Sequence, residues 1–420
     1  MTHLMQLPYK DNDGESIMLN ILFVDDEPNI LDGLQRMLRS MRREWQMLFA
    51  DSGIQALKIL EYNHVDVIVS DMKMPGMDGS QLLKEVENRF PQIVRIILSG
   101  YSEKALILTS VGTAHQYLSK PCDSEILKYV VKRACSLRSL LQDDNLRRIV
   151  SKMQSVPSIP TLYLELLEQL KLDEPDIGKI ALIVKKDPGM TVKVLQLVNS
   201  AFFGLRRNIS DANEAIQFLG LETISALALG VGIFSQFESK INPELLGQLW
   251  QDSVAVSNLA RQIAIDENPV MANDAFTVGL VHNIGKIILA VNMPQEFVTQ
   301  QLSNDETLTI QKLQNKIQSN PRFEEEVFET SYSQVGAYLL GLWGLPVQIV
   351  EGVAFHQSPS KSGDSSFSPL TAVYLANYFY HFSQSDISER TELELDRKYI
   401  EKLGLVDKIP VWYEKFVGSK

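Results

Sequence analysis

The sequence predicts two bodies of different class: an α/β unit with a doubly wound parallel sheet of five strands, followed by an all-α half. Apolar runs ending in acids or small polar residues alternate with helical spacing as far as Pro121. After VPSIP (Val156–Pro160) strand signals nearly vanish. A chain of 420 residues is also too long for one typical domain.

NILFVDD (Asn20–Asp26) reads as the first strand, followed by helical spacing through Leu31, Leu34 and Leu38. QMLFA (Gln46–Ala50) is the second, and Gly53–Tyr62 a helix with Ile54, Leu57 and Leu60 on one face. VDVIVSD (Val65–Asp71), RIILSG (Arg95–Gly100) and QYLSKP (Gln116–Pro121) complete the set, with helices between them. Apolar strands alternating with amphipathic helices imply parallel β/α units covered on both faces. Such sheets bind ligands at the C-terminal ends of their strands. Asp25, Asp26, Asp71, Ser99 and Lys120 all fall there.

A helix beginning near Asp123 places Ile126, Val130, Ala134, Leu137 and Leu141 in one apolar stripe. Its first two turns are expected to cover the sheet. Residues 137–150 are expected to form a connecting helix, suited to transmitting a signal or pairing in a homodimer. Helical patterns follow at Thr161–Leu170, Ile177–Lys186, Met190–Ser200, Ala212–Leu219 and Thr223–Phe234. Others lie at Trp250–Ile265, Asp274–Ala290, Tyr332–Trp343 and Thr371–Phe382, with a loop at Lys361–Ser368. Asp187 and Pro188 read as a helix start, Gly220 as a stop and Glu222 as the next start. The expected organisation is a disordered tail 1–18, an α/β domain 19–136, the connector 137–150, a helical domain 151–357 and a helical extension 358–420. That extension, which includes Trp412, is expected to pack on the helical domain.

A net charge of −12 opposes non-specific binding to nucleic acid or anionic membrane, and no basic recognition helix is visible. No run approaches the ~18 apolar residues of a membrane span. The first eighteen residues carry charges and no apolar core, so they read as a tail and not a signal peptide, with Met18 as an alternative start. The two cysteines offer no disulfide framework, and a cytoplasmic protein is expected.

Asp25, Asp26 and Asp71 at one end of one sheet would repel by up to about 4 kcal/mol per pair at about 4 Å. A hard cation relieves that repulsion, and oxygen-only ligands suit Mg²⁺. Lys120 supplies a cation for a phosphoryl oxygen and Ser99 a hydroxyl beside small Gly100. A carboxylate nucleophile with Mg²⁺ and Lys describes an aspartyl-phosphate site.

VDDEP, SDMKMPGMDG, ILSGY and YLSKP occur here in the order found in the receiver domain of two-component response regulators, which Met18–Leu140 resembles. The resemblance implies a flavodoxin-like fold in which Asp71 takes a phosphoryl group from a histidine kinase or phosphotransfer protein. It implies that Asp26, Asp71 and the backbone carbonyl of Lys73 ligate Mg²⁺, with Asp25 helping through water. Lys120 would bind the phosphoryl oxygen, and Ser99 and Tyr117 would be the switch pair.

DPGMTVKVLQLVNSAFFG (Asp187–Gly204), ISDANEAIQFLG (Ile209–Gly220), AFTVGLVHNIGKIIL (Ala275–Leu289) and YSQVGAYLLGLWGLP (Tyr332–Pro346) resemble the HDOD domain, related to HD-type metal hydrolases. The likeness covers most of Ile149–Gln357. A catalytic metal needs several ligands and an open position. This half has three histidines, His282, His356 and His381. The His-Asp pair of the relatives is His282–Asn283 here, and the His-His pair is His356–Gln357. Gln251-Asp252, Tyr332 and Asn377 stand where relatives carry further ligands, and the GYP signature of cyclic-dinucleotide phosphodiesterases is missing. His282 and His356 are therefore expected to be hydrogen-bonded core residues. Asn199 and Ser200 are expected to satisfy backbone at a helix end, and Phe202 and Phe203 to be core. The expected function is a non-enzymatic response regulator acting on a downstream protein through the HDOD half. The alternative is a phosphorylation-regulated HD-type phosphodiesterase or nucleotide hydrolase.

Overall fold

Every apolar run of the first third becomes a strand: β1 (Leu19–Val24), β2 (Trp45–Ala50), β3 (Val67–Asp71), β4 (Val94–Gly100) and β5 (Gln116–Lys120). The computed structural model describes residues 18–100, 114–136, 150–151, 160–170, 172, 174–199, 205, 207–225, 243–292, 331–384 and 395–418. All strand pairs are parallel, in the order β2-β1-β3-β4-β5. The order reverses between β1 and β3, so a crevice opens beyond their carboxyl ends.

Local chemistry sets the helices around this sheet. Pro28 opens α1 (Pro28–Met37), and Ser52 caps α2 (Gly53–Tyr62) by accepting the Gln55 N–H. Asp78 and Gln81 form a reciprocal capping box at α3 (Gly79–Arg89). Helix α4 (Ser124–Ser136) buries Leu127, Val130, Val131 and Ala134, whereas Ile126 is 47% exposed. The buried stripe is thus centred one position later than the spacing predicts, because the sheet lies against the Leu127 and Val131 side. The tail 1–17, the connector residues 137–149, and Ser200, Phe202 and Phe203 lie outside the described residues.

The second half is helical throughout its described residues: α5 (Pro160–Leu170), α6 (Ile177–Lys185), α7 (Pro188–Val198), α8 (Ala212–Ser225), α9 (Pro243–Glu267), α10 (Ala272–Val281), α11 (Ile284–Asn292), α12 (Tyr332–Leu342), α13 (Val347–Phe355), α14 (Pro369–Gln384), α15 (Arg397–Lys402) and α16 (Lys408–Phe416). Asp187 accepts the Met190 N–H at 2.9 Å and starts α7, which is buried all round. Gly220 leaves the helical region (φ 77°) and kinks α8 where a stop is expected. Asp274–Ala290 is two helices rather than the single one its periodicity predicts. The side chain of His282 bonds to the Gly279 carbonyl at 2.6 Å, and a new turn begins with Lys286 N–H donating to Asn283 O. Lys361–Ser368 opens on a short 3-10 turn, Pro359–Ser362. Trp412 of α16 is buried, and its Nε1–H donates to Asp266 of α9 at 2.8 Å.

One sheet face, bearing Phe23, Val67, Val69, Ile96 and Leu118, joins a core that continues through α4 into the helical half. The other face, with Leu22, Val24, Ile68, Ile97 and Tyr117, packs with α2 and α3 residues such as Ala56, Leu82 and Val86 as a separate core. Each fully buried Leu, Ile or Val contributes roughly 1.5–3 kcal/mol.

Candidate functional site

The crevice beyond β1 and β3 gathers two buried carboxylates and an ammonium. Asp25 follows β1, its N–H held by Ala50 O at 3.1 Å, and is 1% exposed. Its Oδ1 accepts the Glu27 N–H at 3.0 Å, and its Oδ2 accepts from Lys120 Nζ at 2.7 Å. Asp71 ends β3 and is buried; its Oδ2 accepts the Lys73 N–H at 2.8 Å, and its Oδ1 pairs with the same Lys120 Nζ. Register places these groups. Gly100 of β4 pairs with Lys120, Ser99 with Ser119, and Leu98 with Asp71.

The β3–α3 turn is built tightly around Asp71. A Cβ at Gly79 would lie 2.0 Å from the Asp71 carbonyl oxygen, so only glycine lets α3 start there. Gly79 N–H instead donates to Met72 O at 2.9 Å. No charge or periodicity marks this residue; its position eight after Asp71 is the only sequence signal.

Electrostatics divide the roles. Burial pushes the Asp71 carboxyl up, the Lys120 hydrogen bond and charge pull against it, and the Asp25 charge raises it further. Burial pulls the Lys120 ammonium down, but its bonds to Asp25 and Asp71 outweigh this and hold it above its ordinary value. Two carboxylates against one ammonium leave a net negative charge. The Asp25 and Asp71 carboxylates offer oxygen donors, the kind that suits a hard divalent cation. Asp26 is half-buried beside Asp25 and Lys73 is exposed. Among the described residues, no three His, Cys, Asp or Glu side chains stand close enough to hold a metal. Lys120, and not a third carboxylate, bridges Asp25 and Asp71. Ser99 is fully buried beside this group, with its hydroxyl 3.4 Å from Gly100 O, and Tyr117 is buried one strand further on.

The histidines of the helical half meet as an internal cluster. His282 and His356 are buried with rings 5.2 Å apart, edge to face. Nδ1 of His356 bonds to Val353 O at 2.8 Å, and its Nε2 to the Tyr332 hydroxyl at 3.0 Å. Burial pushes His282 well below its ordinary value, and His356 and His381 down to about 4. The oxygens Asn283 Oδ1 and Asn377 Oδ1 are buried without a partner among the described residues. Asp252, where a ligand is expected, accepts from the Tyr380 hydroxyl at 2.7 Å. Asn199 bonds Leu195 O and both backbone groups of Ile209 at a helix end.

Comparison with known proteins matches both halves. The response regulator receiver domain model matches residues 21–132, and the HDOD domain model matches residues 156–359. An uncharacterized protein of Treponema pallidum (strain Nichols) is 22% identical over 240 residues, 56% of this chain and 44% of that protein. The hydrogenase transcriptional regulatory protein HoxA of Cupriavidus necator is 38% identical over 125 residues, 29% of this chain and 25% of that protein. This chain thus spans less than half the length of either relative. The MmoQ response regulator of Methylococcus capsulatus (strain Bath) is 20% identical in a solved structure, covering 61% of this chain and 98% of that one with a TM-score of 0.43. No helix among the described residues is long and apolar enough to cross a membrane. The chain carries a response regulator receiver domain over residues 21–132 and an HDOD domain over residues 156–359.

Proposed function

We propose that Asp71 is the phosphoacceptor of a cytoplasmic two-component phosphorelay and that the HDOD half is a non-catalytic output acting through protein contacts. The single observation that carries this is Lys120, whose ammonium bridges the buried carboxylates of Asp25 and Asp71 at the sheet's carboxyl end. The phosphodonor is a histidine kinase or phosphotransfer protein. A carboxylate oxygen of Asp71 attacks the phosphorus of the donor's phosphohistidine as the N–P bond breaks, and the leaving imidazole takes up a proton. Asp25, Asp26, Asp71 and the Lys73 carbonyl would hold Mg²⁺, which would supply positive charge to offset the phosphoryl oxygens.

Lys120 keeps Asp71 oriented before transfer and bonds a phosphoryl oxygen after it. Once an acyl phosphate replaces the carboxylate, Lys120 is drawn to it, and buried Ser99 and Tyr117 adjust as the switch pair. The helical half is read as non-catalytic because an amide (Asn283) and a phenol (Tyr332) stand where metal ligands are needed. Phosphotransfer from a radiolabelled histidine kinase transmitter domain tests the reading. Label is expected on the wild-type chain and not on Asp71→Asn; equal transfer to both would sink it.

A further inference from the structure

The receiver grips the helical half by its main-chain carbonyls. Helix α12 ends at Leu342, and the chain turns through Gly344 (φ 76°) before α13. The last carbonyls of a helix have no intrahelical partner. Here receiver side chains take the last of them and two carbonyls of the turn that follows: Gln116 Nε2 donates to Leu342 O at 3.2 Å, and Arg133 donates to Gly344 O at 3.5 Å and to Leu345 O. A second anchor lies at Ser151. Its carbonyl accepts from Arg95 Nη2 at 2.9 Å and from His115 Nε2 at 3.1 Å. His115 Nδ1 receives the Arg95 N–H at 3.0 Å, which makes Nε2 the protonated nitrogen.

All four side chains are buried, with Arg95 at 1% exposure, yet these bonds to the helical half fall on neutral carbonyls. Burial pulls the Arg95 guanidinium down to about 10 and lowers Arg133 as well. Arg95 also pairs with buried Glu87 of its own domain at 3.7 Å, whereas its bond to the helical half falls on a neutral carbonyl, and such bonds exchange readily for water once opened. These polar contacts lie beside the apolar core that runs through α4 into the helical half, and polar contacts between domains are the kind that move.

Arg95 and Gln116 sit on the strands of the proposed switch and His115 directly before β5, while Arg133 lies on α4. Arg95 lies four residues before Ser99 on β4, and His115 and Gln116 directly precede Tyr117. Tyr117 pairs with Ile97 in the register and lines a small cleft with Gln116, Gln196, Trp343 and Gly344. Movement of Ser99 and Tyr117 therefore reaches the grip along two paired strands.

We propose that Arg95, His115, Gln116 and Arg133 form an intramolecular clamp that holds the unphosphorylated chain closed on the α12–α13 turn, and that phosphorylation of Asp71 releases it. This rests on Asp71 being the phosphoacceptor. Release uncovers the Leu342–Leu345 turn and the Trp343 edge of the helical half.

Amide hydrogen exchange on the full chain tests the clamp, with beryllofluoride and Mg²⁺ as the phosphoryl mimic. In wild type the mimic is expected to slow exchange over residues 71–79 and to speed it at residues 340–346. The N–H groups of Trp343, Gly344 and Leu345 bond the Leu339, Gly341 and Leu340 carbonyls, and loss of a charge-assisted bond on the turn's own carbonyls makes opening of those bonds easier, by a factor on the order of ten. Asp71→Asn is expected to show neither change, and Arg133→Ala fast exchange at the turn without the mimic. Should Arg133→Ala fail to fold, Gln116→Ala is expected to show a smaller rise in the same segment. Slowed exchange at 71–79 with an unchanged turn overturns the clamp and leaves the phosphoacceptor reading standing. No effect at 71–79 overturns that reading, and clamp release with it. Unchanged exchange at the turn in a folded clamp variant overturns the clamp directly.

Discussion

The Tyr332 hydroxyl and His356 Nε2 stand 3.0 Å apart in the interior of the helical half, and both residues are buried. Nδ1 of His356 is already bonded to Val353 O, so Nε2 accepts from the phenol. The one nitrogen of His356 free to bind a metal is committed to a neutral hydrogen bond. Elemental analysis of the purified chain is expected to find no stoichiometric Fe, Mn or Zn. Stoichiometric metal lost on His356→Ala would restore the hydrolase alternative. Tyr332→Phe is expected to cost about 1–2 kcal/mol in denaturant unfolding by leaving Nε2 unbonded.

Gly79 supports the site through shape alone. Gly79→Ala puts a methyl group into the Asp71 carbonyl, so the β3–α3 turn must shift. Receiver stability is expected to fall by about 1–3 kcal/mol, with slower phosphoryl acceptance at unchanged charge. Wild-type rates of phosphorylation in this variant would show that the turn does not position Asp71.

Much of this was legible in the sequence, for a physical reason. Strands buried on both faces must be apolar, so β1, β3 and β4 stand out, and the residues at their ends stand out by contrast. Asp25, Asp71, Ser99 and Lys120 were readable on that ground. The break at His282–Asn283 was not, because periodicity reports which face is buried and not where a side chain closes a helix. The grip of Arg95, His115, Gln116 and Arg133 was also missed. Its signal was present as charged and polar residues on otherwise apolar strands and on the buried side of α4. Their partners, however, are backbone carbonyls, which no residue type announces.

Lys193 gives a pH signature. It is 3% exposed on α7, with Nζ 5.3 Å from the centre of the Trp343 ring, and burial pulls its ammonium down to about 7. Unfolded, it titrates near its ordinary value of 10.5. Between about pH 7 and 10.5 the unfolded chain holds the extra proton, so stability rises with pH across that window, by up to about 5 kcal/mol. Below about 7 both states are charged, and the burial cost is present in full. Lys193→Met is expected to be more stable than wild type at pH 7, with the difference shrinking as pH rises. A difference in melting temperature that is flat from pH 7 to 10 would contradict this.

The most direct test of Asp71 as the phosphoacceptor is intact-mass measurement of the full chain incubated with acetyl phosphate and Mg²⁺. The expected result is one added phosphoryl group on wild type, none on Asp71→Asn, and none on wild type once the cation is chelated. Equal labelling of wild type and Asp71→Asn, or no labelling of either, would contradict it.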